Sequence, residues 1–261
     1  MTIKVKILGY GEIGKSIHRV YDLSKSKWEV AYKDLKLFSG CQQCDVLNVT
    51  IPYSEEFVDI VCNEIKESKC SWCIIHSTVA PGTTAKIQEQ FEFQCPSVNV
   101  IHSPIIGVHP NLTIGILTFP KWIGYQGRNT ELELSYIIDH FKRMGITNLR
   151  FASPCEATEV FKLLDTTYYG MCLTFNAEAE EWLNKISENS KVPLYPVWVE
   201  YLKCYNHGYE ILGMGNVVRP YFNKLSMPIG GHCVVPNTKI LKQYHPFPAL
   251  EQILKYTPNE S

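Results

Sequence analysis

A chain of 261 residues suffices for one large domain or two modest ones, and its 45% hydrophobic and 20% charged residues are ordinary globular composition that excludes disorder throughout. With 25 Lys and Arg against 26 Asp and Glu, the formal charge is -1 and no positive stripe is available to follow a nucleic-acid backbone. The longest apolar stretches, such as residues 114–119, fall short of a bilayer span, so a small molecule is the expected partner rather than nucleic acid or membrane.

Residues 1–9 alternate polar with apolar and lack the continuous apolar core of an export signal, which predicts a cytoplasmic location. Residues 3–9 read as a strand running into a glycine turn, and residues 12–23 as a helix with apolar positions Ile13, Ile17, Val20 and Leu23. Strands follow at 28–33, 45–51, 72–77, 98–102 and 121–125, with helices at 54–66, 83–91 and 130–144 between and after them. Nearly continuous apolar strands alternating with helices predict a doubly wound, Rossmann-type α/β parallel sheet covered on both faces, here residues 1–153. Beyond Pro154 the composition changes. Residues 156–190 contain no Pro and a single Gly, predicting one long central helix, with a second at 197–211 and a short closing helix at 249–256. Residues 154–261 are therefore expected to form a mainly helical domain.

Ten cysteines in a chain long enough to bury its own core, with no export segment, are expected to stay reduced. Two pairs, Cys41/Cys44 and Cys70/Cys73, immediately precede predicted strands. If those strands were neighbours, four thiols could surround a zinc ion. Ordinary thiols are the simpler reading, and no metal site is assigned.

The turn Gly9-Tyr10-Gly11-Glu12-Ile13-Gly14 is G-x-G-x-x-G placed where a strand meets a helix. In that context the first glycine makes the turn, the second lets a pyrophosphate approach, and the third packs helix on strand. Residues 9–16 also satisfy G-x-x-x-x-G-K-[ST], the phosphate loop of nucleoside triphosphatases. Such a site wants a magnesium-binding carboxylate at the end of a later strand, and residues 45–51 end without one. A dinucleotide site instead wants an acid about 20 residues past the glycines, where Asp34 stands at the end of the second strand. Its carboxylate can accept the ribose hydroxyls and would repel a 2'-phosphate, favouring NAD. Gly9, Gly11, Glu12, Ile13, Gly14 and Asp34 are thus the expected cofactor-binding positions.

Three further segments carry chemistry-bearing residues. His76-Ser77-Thr78-Val79-Ala80-Pro81-Gly82-Thr83 follows a strand; alone it reads equally as a Pro-Gly turn with capping threonines. Glu159-x-x-Lys162 lies on the long helix, where a lysine by itself is usually a solvated face. Gly230-Gly231-His232-Cys233 would expose a cysteine on a turn, although a lone cysteine is more often a buried small hydrophobe.

Together and in this order, with Ser103-Pro104 and with Glu178 sixteen residues beyond Lys162, these pieces resemble the nucleotide-sugar dehydrogenases. That family oxidises UDP-glucose, UDP-N-acetylmannosamine or GDP-mannose to uronic acids. The resemblance runs along nearly the whole chain, and its Gly-Gly-His-Cys piece is the most specific. It implies two hydride transfers to NAD, with Cys233 as the nucleophile that holds the aldehyde as a thiohemiacetal and then a thioester. It further implies Lys162 as the cation beside the reacting oxygen, Thr78 as a positioning hydroxyl, and a homodimer built on the long helix. The chain also departs from the family pattern. Ile105 stands where an acid follows Ser-Pro, Thr166 where an asparagine follows the lysine by four residues, and Asn237 where an aspartate follows the cysteine by four. Asn237 cannot act as a base, so thioester hydrolysis loses its usual carboxylates. Asp165, His232 and His102 are the remaining candidates. The family continues into another α/β domain, and this sequence resembles a short form ending at Ser261. Two functions follow: an NAD-dependent oxidoreductase with altered or incomplete chemistry, or a non-catalytic NAD-binding protein on the same scaffold. Hydroxyisobutyrate-type dehydrogenases also place a lysine on a helix after a Rossmann domain, but lack the cysteine.

Overall fold

A computed structural model describes residues 2–35, 37–91, 98–107, 111–126, 131–190, 192–223, 225, 228–229 and 233–257. The chain divides into two compact units, Met1–Lys162 and Leu163–Ser261.

The first unit is built on a sheet of β1 (Ile3–Leu8), β2 (Trp28–Asp34), β3 (Leu37–Ser39), β4 (Val46–Val49), β5 (Trp72–Ile75), β6 (Asn99–His102), β7 (Lys121–Gly124) and β8 (Leu149–Ala152), in spatial order β3-β2-β1-β4-β5-β6-β7-β8. Pairing is parallel except where β3 meets β2 and β7 meets β6. The predicted doubly wound α/β sheet is therefore present. From β1 the chain goes outward to β2 on one side and returns to β4 on the other. The crevice where such sheets take ligands thus lies past the carboxyl ends of β1 and β4.

Alternation along the strands explains their continuous apolar sequence. Trp72 and Ile74 of β5 face a core shared with α1 (Glu12–Leu23), α4 (Leu112–Thr118) and α5 (Glu131–Arg143). Cys73 and Ile75 face the opposite core, shared with α2 (Phe57–Ser68) and α3 (Thr83–Glu89). Both faces are dry, so most successive residues are apolar and the polar ones need buried partners. Lys6 is the exception on β1. It is fully buried, and its Nζ lies 2.6 Å from the equally enclosed Glu64 of α2.

The structure does not bring the two cysteine pairs together as one set of four ligands. Cys41 hydrogen-bonds Glu29, whereas Cys44, Cys70 and Cys73 pack into the α2-side core with Cys62. No group of three or more His, Cys, Asp or Glu among the described residues is arranged to hold a metal ion.

Beneath the strand ends runs a buried polar seam. Tyr21 Oη is 3.0 Å from His140 Nε2 and shares hydrogen bonds with Asn48, whose Oδ1 lies 3.0 Å from His76 Nε2. Burial pushes the imidazoles of His102 and His140 down to about 3 from an ordinary 6.5. Both are neutral in the folded chain, so their stabilising effect is complete above pH 6.5 and is lost as pH falls toward 3. Each should cost about 2 kcal/mol of stability by pH ~5. Urea midpoints at pH 7.5 and 5 measure the loss, and His140→Phe should make the decline shallower; an unchanged slope in that variant would refute the assignment.

The second unit is helical. It contains most of α6 (Glu156–Ser190), α7 (Leu194–Ile211), a 3-10 turn at Gly215–Val217, α8 (Val234–Tyr244) and α9 (Pro248–Lys255). Leu163 of α6 packs on Leu241 and Leu250, and Leu173 on Val234 and Ile253. Among the described residues no helix is long and apolar enough to cross a membrane.

Candidate functional site

The glycine turn closes β1 as its spacing requires. Gly9 has φ +93°, a conformation that L side chains rarely adopt, and a Cβ there would meet the Ile51 backbone at 2.9 Å. Gly14, in the first turn of α1, packs so closely on the preceding loop that a Cβ would lie 2.1 Å from the Gly9 carbonyl oxygen. Gly11 is different: a Cβ there would meet nothing within 4 Å. It begins α1 without a side-chain cap, leaving that helix end open to an anion. Exposed Glu12 and half-buried Ile13 follow it.

Asp34 ends β2 beside this turn. Its Oδ2 accepts the Tyr10 N–H at 2.6 Å and its Oδ1 the Leu35 N–H at 2.7 Å. Each carboxylate oxygen has a second lone pair for a diol. The Tyr10 ring stacks on Tyr32 with centroids 3.9 Å apart, which holds the turn against β2. Neighbouring Lys33 reaches away to α2, with Nζ 2.6 Å from Glu64 and 3.0 Å from Glu67, and the Glu64 hydrogen bond raises its pKa.

A second group lies at the far ends of β5 and β6. Thr78, half-buried, sits on the loop between β5 and α3. That loop is clamped by Glu159 in the first turns of α6. The Glu159 carboxylate accepts the Gly82 N–H at 2.6 Å, the Thr84 N–H at 2.8 Å and the Thr84 hydroxyl at 2.6 Å. Burial nonetheless raises its pKa, outweighing hydrogen bonds that act to lower it. Next to it on α6, Thr158 Oγ1 lies 2.8 Å from His102 Nδ1, while His102 Nε2 is 3.1 Å from the Ser77 carbonyl. A carbonyl can only accept, so Nε2 carries the proton toward Ser77; the one Thr158 hydroxyl proton is shared between Nδ1 and the Cys155 carbonyl, 2.9 Å away. Both nitrogens are engaged and the ring is enclosed, so His102 fits a packed core residue rather than a base.

Lys162, one turn beyond Thr158, is half-buried; burial lowers the pKa of both His102 and Lys121, and the charge of Lys162 adds to it. Lys121 is wholly enclosed at the start of β7, where it donates to the Ser103 carbonyl at 2.7 Å and the Pro104 carbonyl at 3.0 Å. Burial drives its pKa well below the usual lysine range. Sequence reasoning assigns no role to Glu159 or Lys121. A charged residue inside the apolar run 121–124 is the available signal for Lys121. For Glu159, its place three residues before Lys162 is visible, but its partners 75 and 77 residues away are not.

In the helical unit, Thr166 and Asn237 meet: Asn237 Nδ2 donates to Thr166 Oγ1 at 3.0 Å, and both side chains are buried. Cys233, exposed, caps α8 one turn before Asn237, whose backbone N–H bonds its carbonyl. Gly230, Gly231 and His232 lie outside the described residues. Glu178 accepts hydrogen bonds from Gln252 and Tyr256 of the closing segment. Ile105 is buried in the α1-side core, and Asp165 is exposed.

No protein-family model matches the sequence, and no curated protein matches it. Solved structures do. A 3-hydroxyisobutyrate dehydrogenase from Mycobacterium tuberculosis, with L-serine, matches at TM-score 0.66 and 11% identity, over 98% of this chain and 92% of its own. A UDP-glucose dehydrogenase from Pyrobaculum islandicum matches at TM-score 0.72 and 14% identity, over 98% of this chain and 68% of its own. Psf3 in complex with NADP+ and 2-OPP matches at TM-score 0.58 and 14% identity, over 96% and 92%. What is shared is the fold. At such identities the likeness assigns no substrate, and both the hydroxyisobutyrate and nucleotide-sugar branches are represented.

Proposed function

We propose that the chain is an NAD-dependent dehydrogenase that oxidises a CH–OH group of a small molecule. The observation that carries the reading is the turn at Gly9–Gly14, open at Gly11 and flanked by Asp34, at the point where the strand order reverses. NAD fits the residues present. Gly11 leaves room for a pyrophosphate, the α1 N-terminus supplies N–H donors, and the second lone pairs of Asp34 suit a ribose diol. A 2'-phosphate would face Asp34, while Lys33 is already paired with Glu64 and Glu67, so NADP is disfavoured. When bound, NAD would accept hydride from the substrate carbon.

In this reading Lys162 holds positive charge beside the substrate oxygen, and the Thr78 loop, fixed by Glu159, orients the substrate. By resemblance, Cys233 supplies the thiolate that adds to the aldehyde carbon. Thr166 and Asn237, which stand in place of the family's asparagine and aspartate, are hydrogen-bonded to each other within the helical unit. These departures limit the chemistry. Asn237 is an amide and Ile105 is apolar, so neither can activate water for thioester hydrolysis.

The test is to incubate the protein with NAD and a panel of nucleotide sugars and small hydroxy compounds, counting NADH formed per substrate consumed. Release of the aldehyde after the first hydride transfer gives one NADH and is the expected outcome, with Lys162→Ala lowering kcat at least ~100-fold; a thioester stranded on Cys233 would instead stop at two NADH per enzyme. Two per substrate with continued turnover would indicate a complete acid-forming cycle through another base. Tight NAD binding with no turnover across the panel, and Cys233 inert to alkylation, would favour a non-catalytic NAD-binding protein, the reading that Asn237 and Ile105 support. A homodimer belongs to the same proposal: Trp182 and Ile186, 67% and 41% exposed on the later turns of α6, offer apolar surface to a second copy. Sedimentation velocity would decide that.

A further inference from the structure

Cysteines 44, 62, 70 and 73 are enclosed on the α2 side of the sheet, and the proposed dehydrogenase chemistry uses none of them. Two of these stand side by side. Val46 of β4 pairs with Trp72 of β5 in parallel register, so two residues back along each chain Cys44 comes opposite Cys70. The backbone keeps that alignment past the strand ends. The Asp45 carbonyl accepts the Ser71 and Trp72 N–H groups at 3.1 and 3.2 Å, and the Cys44 N–H donates to the Ser68 carbonyl at 3.0 Å. The two thiols are hydrogen-bonded to each other. They lie at the amino ends of β4 and β5, the opposite end of the sheet from the ligand crevice.

Neighbouring strands run about 4.8 Å apart, inside the range of roughly 4.4–6.8 Å between Cα atoms that a disulfide requires. The same register excludes Cys73 as a partner. It stands opposite Leu47, three residues along the ladder, or about 10 Å from Cys44 and from Cys70, beyond the ~7 Å that a disulfide can bridge. Cys44 is 6% exposed and Cys70 2%, so Cys44 is the sulfur that a small solute reaches first. The hydrogen bond to Cys44, and then burial, keep the Cys70 thiol protonated, which suits it to the second step of an oxidation rather than the first.

We propose that Cys44 and Cys70 form a redox site whose oxidant is a hydroperoxide and whose product is a disulfide stapling β4 to β5. The Cys44 sulfur attacks the peroxide: an S–O bond forms, the O–O bond breaks, and the leaving hydroxide takes up the thiol proton. The Cys70 sulfur then attacks the Cys44 sulfur: the S–S bond forms, the S–O bond breaks, and the oxygen leaves as water with the Cys70 proton. With hydrogen peroxide, two thiols lose two electrons and one peroxide becomes two waters. The loop so closed, residues 44–70, contains α2. The site is independent of the dehydrogenase reading, since it uses none of those residues.

To test it, the exposed sulfurs of the native full chain are capped by a brief pulse of N-ethylmaleimide, and hydrogen peroxide is added. The product is unfolded, capped again and digested with trypsin for peptide mass spectrometry. A dithiothreitol-sensitive link between peptides 37–66 and 70–86 is expected, lost in Cys44→Ala and Cys70→Ala and kept in Cys62→Ala and Cys73→Ala. Fragment ions of the wild-type product locate the bond even where a variant fails to fold. The oxidised chain should melt several degrees higher than the reduced one, because the closed loop constrains the unfolded state, and dithiothreitol should reverse the shift. No link at millimolar peroxide, or a link through Cys62 or Cys73, would overturn the proposal. So would a link that leaves the melting temperature unchanged or lower, or the same single product from the urea-unfolded chain, which would show that the fold does not select the pair.

Discussion

Gly14→Ala and Gly11→Ala should separate folding from cofactor binding. At Gly14 a methyl group would sit 2.1 Å from the Gly9 carbonyl oxygen, so either α1 or the turn must move. Overpacking of this kind costs about 1–3 kcal/mol, and the shifted turn no longer aligns the helix N-terminus. Thermal stability and NAD affinity should therefore fall together. At Gly11 the added methyl meets nothing within 4 Å, and its φ of -73° and ψ of -158° suit any L residue. Stability should be unchanged or rise slightly, yet NAD affinity should drop at least tenfold because the methyl enters the volume assigned to the pyrophosphate. Calorimetric titration with NAD, paired with thermal melts, reads both quantities. Wild-type NAD affinity in Gly11→Ala would refute the cofactor assignment itself.

Glu159 governs the second large effect. Glu159→Ala would remove the acceptor for two backbone N–H groups and one hydroxyl at a fully enclosed position. At roughly 1–3 kcal/mol for each stranded group, with partial relaxation, the loss should be about 3–5 kcal/mol. Glu159→Gln should cost much less. Burial already raises the carboxyl's pKa, so its charge is not the stabilising feature; its lone pairs are. One amide oxygen can still serve both Thr84 donors, leaving only the Gly82 N–H opposed. Urea melts should rank wild type, Gln, then Ala. A Gln variant as unstable as Ala would show that the negative charge matters. Because Lys162 is three residues farther along the same helix, the Ala variant should also lose turnover beyond its loss of folded protein.

The sheet was legible where strands are dry on both faces, because short apolar runs such as Trp72–Ile75, and Val46–Val49 broken only by Asn48, bounded by polar or turn-forming residues, suit a strand buried on both sides. Three elements of the first unit escaped. β3 is three exposed residues, β8 is a half-exposed edge strand, and α4 carries a glycine and β-branched residues that read simply as an apolar stretch. α8 escaped because Pro236 falls within its first turn, where a missing N–H costs nothing but the sequence suggests a break. The polar members of β1 read as one side of an alternating strand. Lys6 instead lies inside, offset by Glu64, a pairing that depends on α2 crossing that position. The glycine turn and Asp34 follow a fixed local spacing and could be found without coordinates. The clamp on the Thr78 loop joins residues more than seventy positions apart and has no local signature.

Cys44, Cys62, Cys70 and Cys73 are all enclosed in the α2-side core; burial raises the thiol pKa of Cys62 and Cys73, and a hydrogen bond with Cys44 followed by burial raises that of Cys70. Cys204 and Cys233 are exposed. The chain therefore carries its own clock for sheet opening. Under a brief pulse of maleimide, the outer sulfurs should be tagged at once and the inner four only as fast as the sheet gives way, so peptide mass spectrometry would time local release using the native thiols alone.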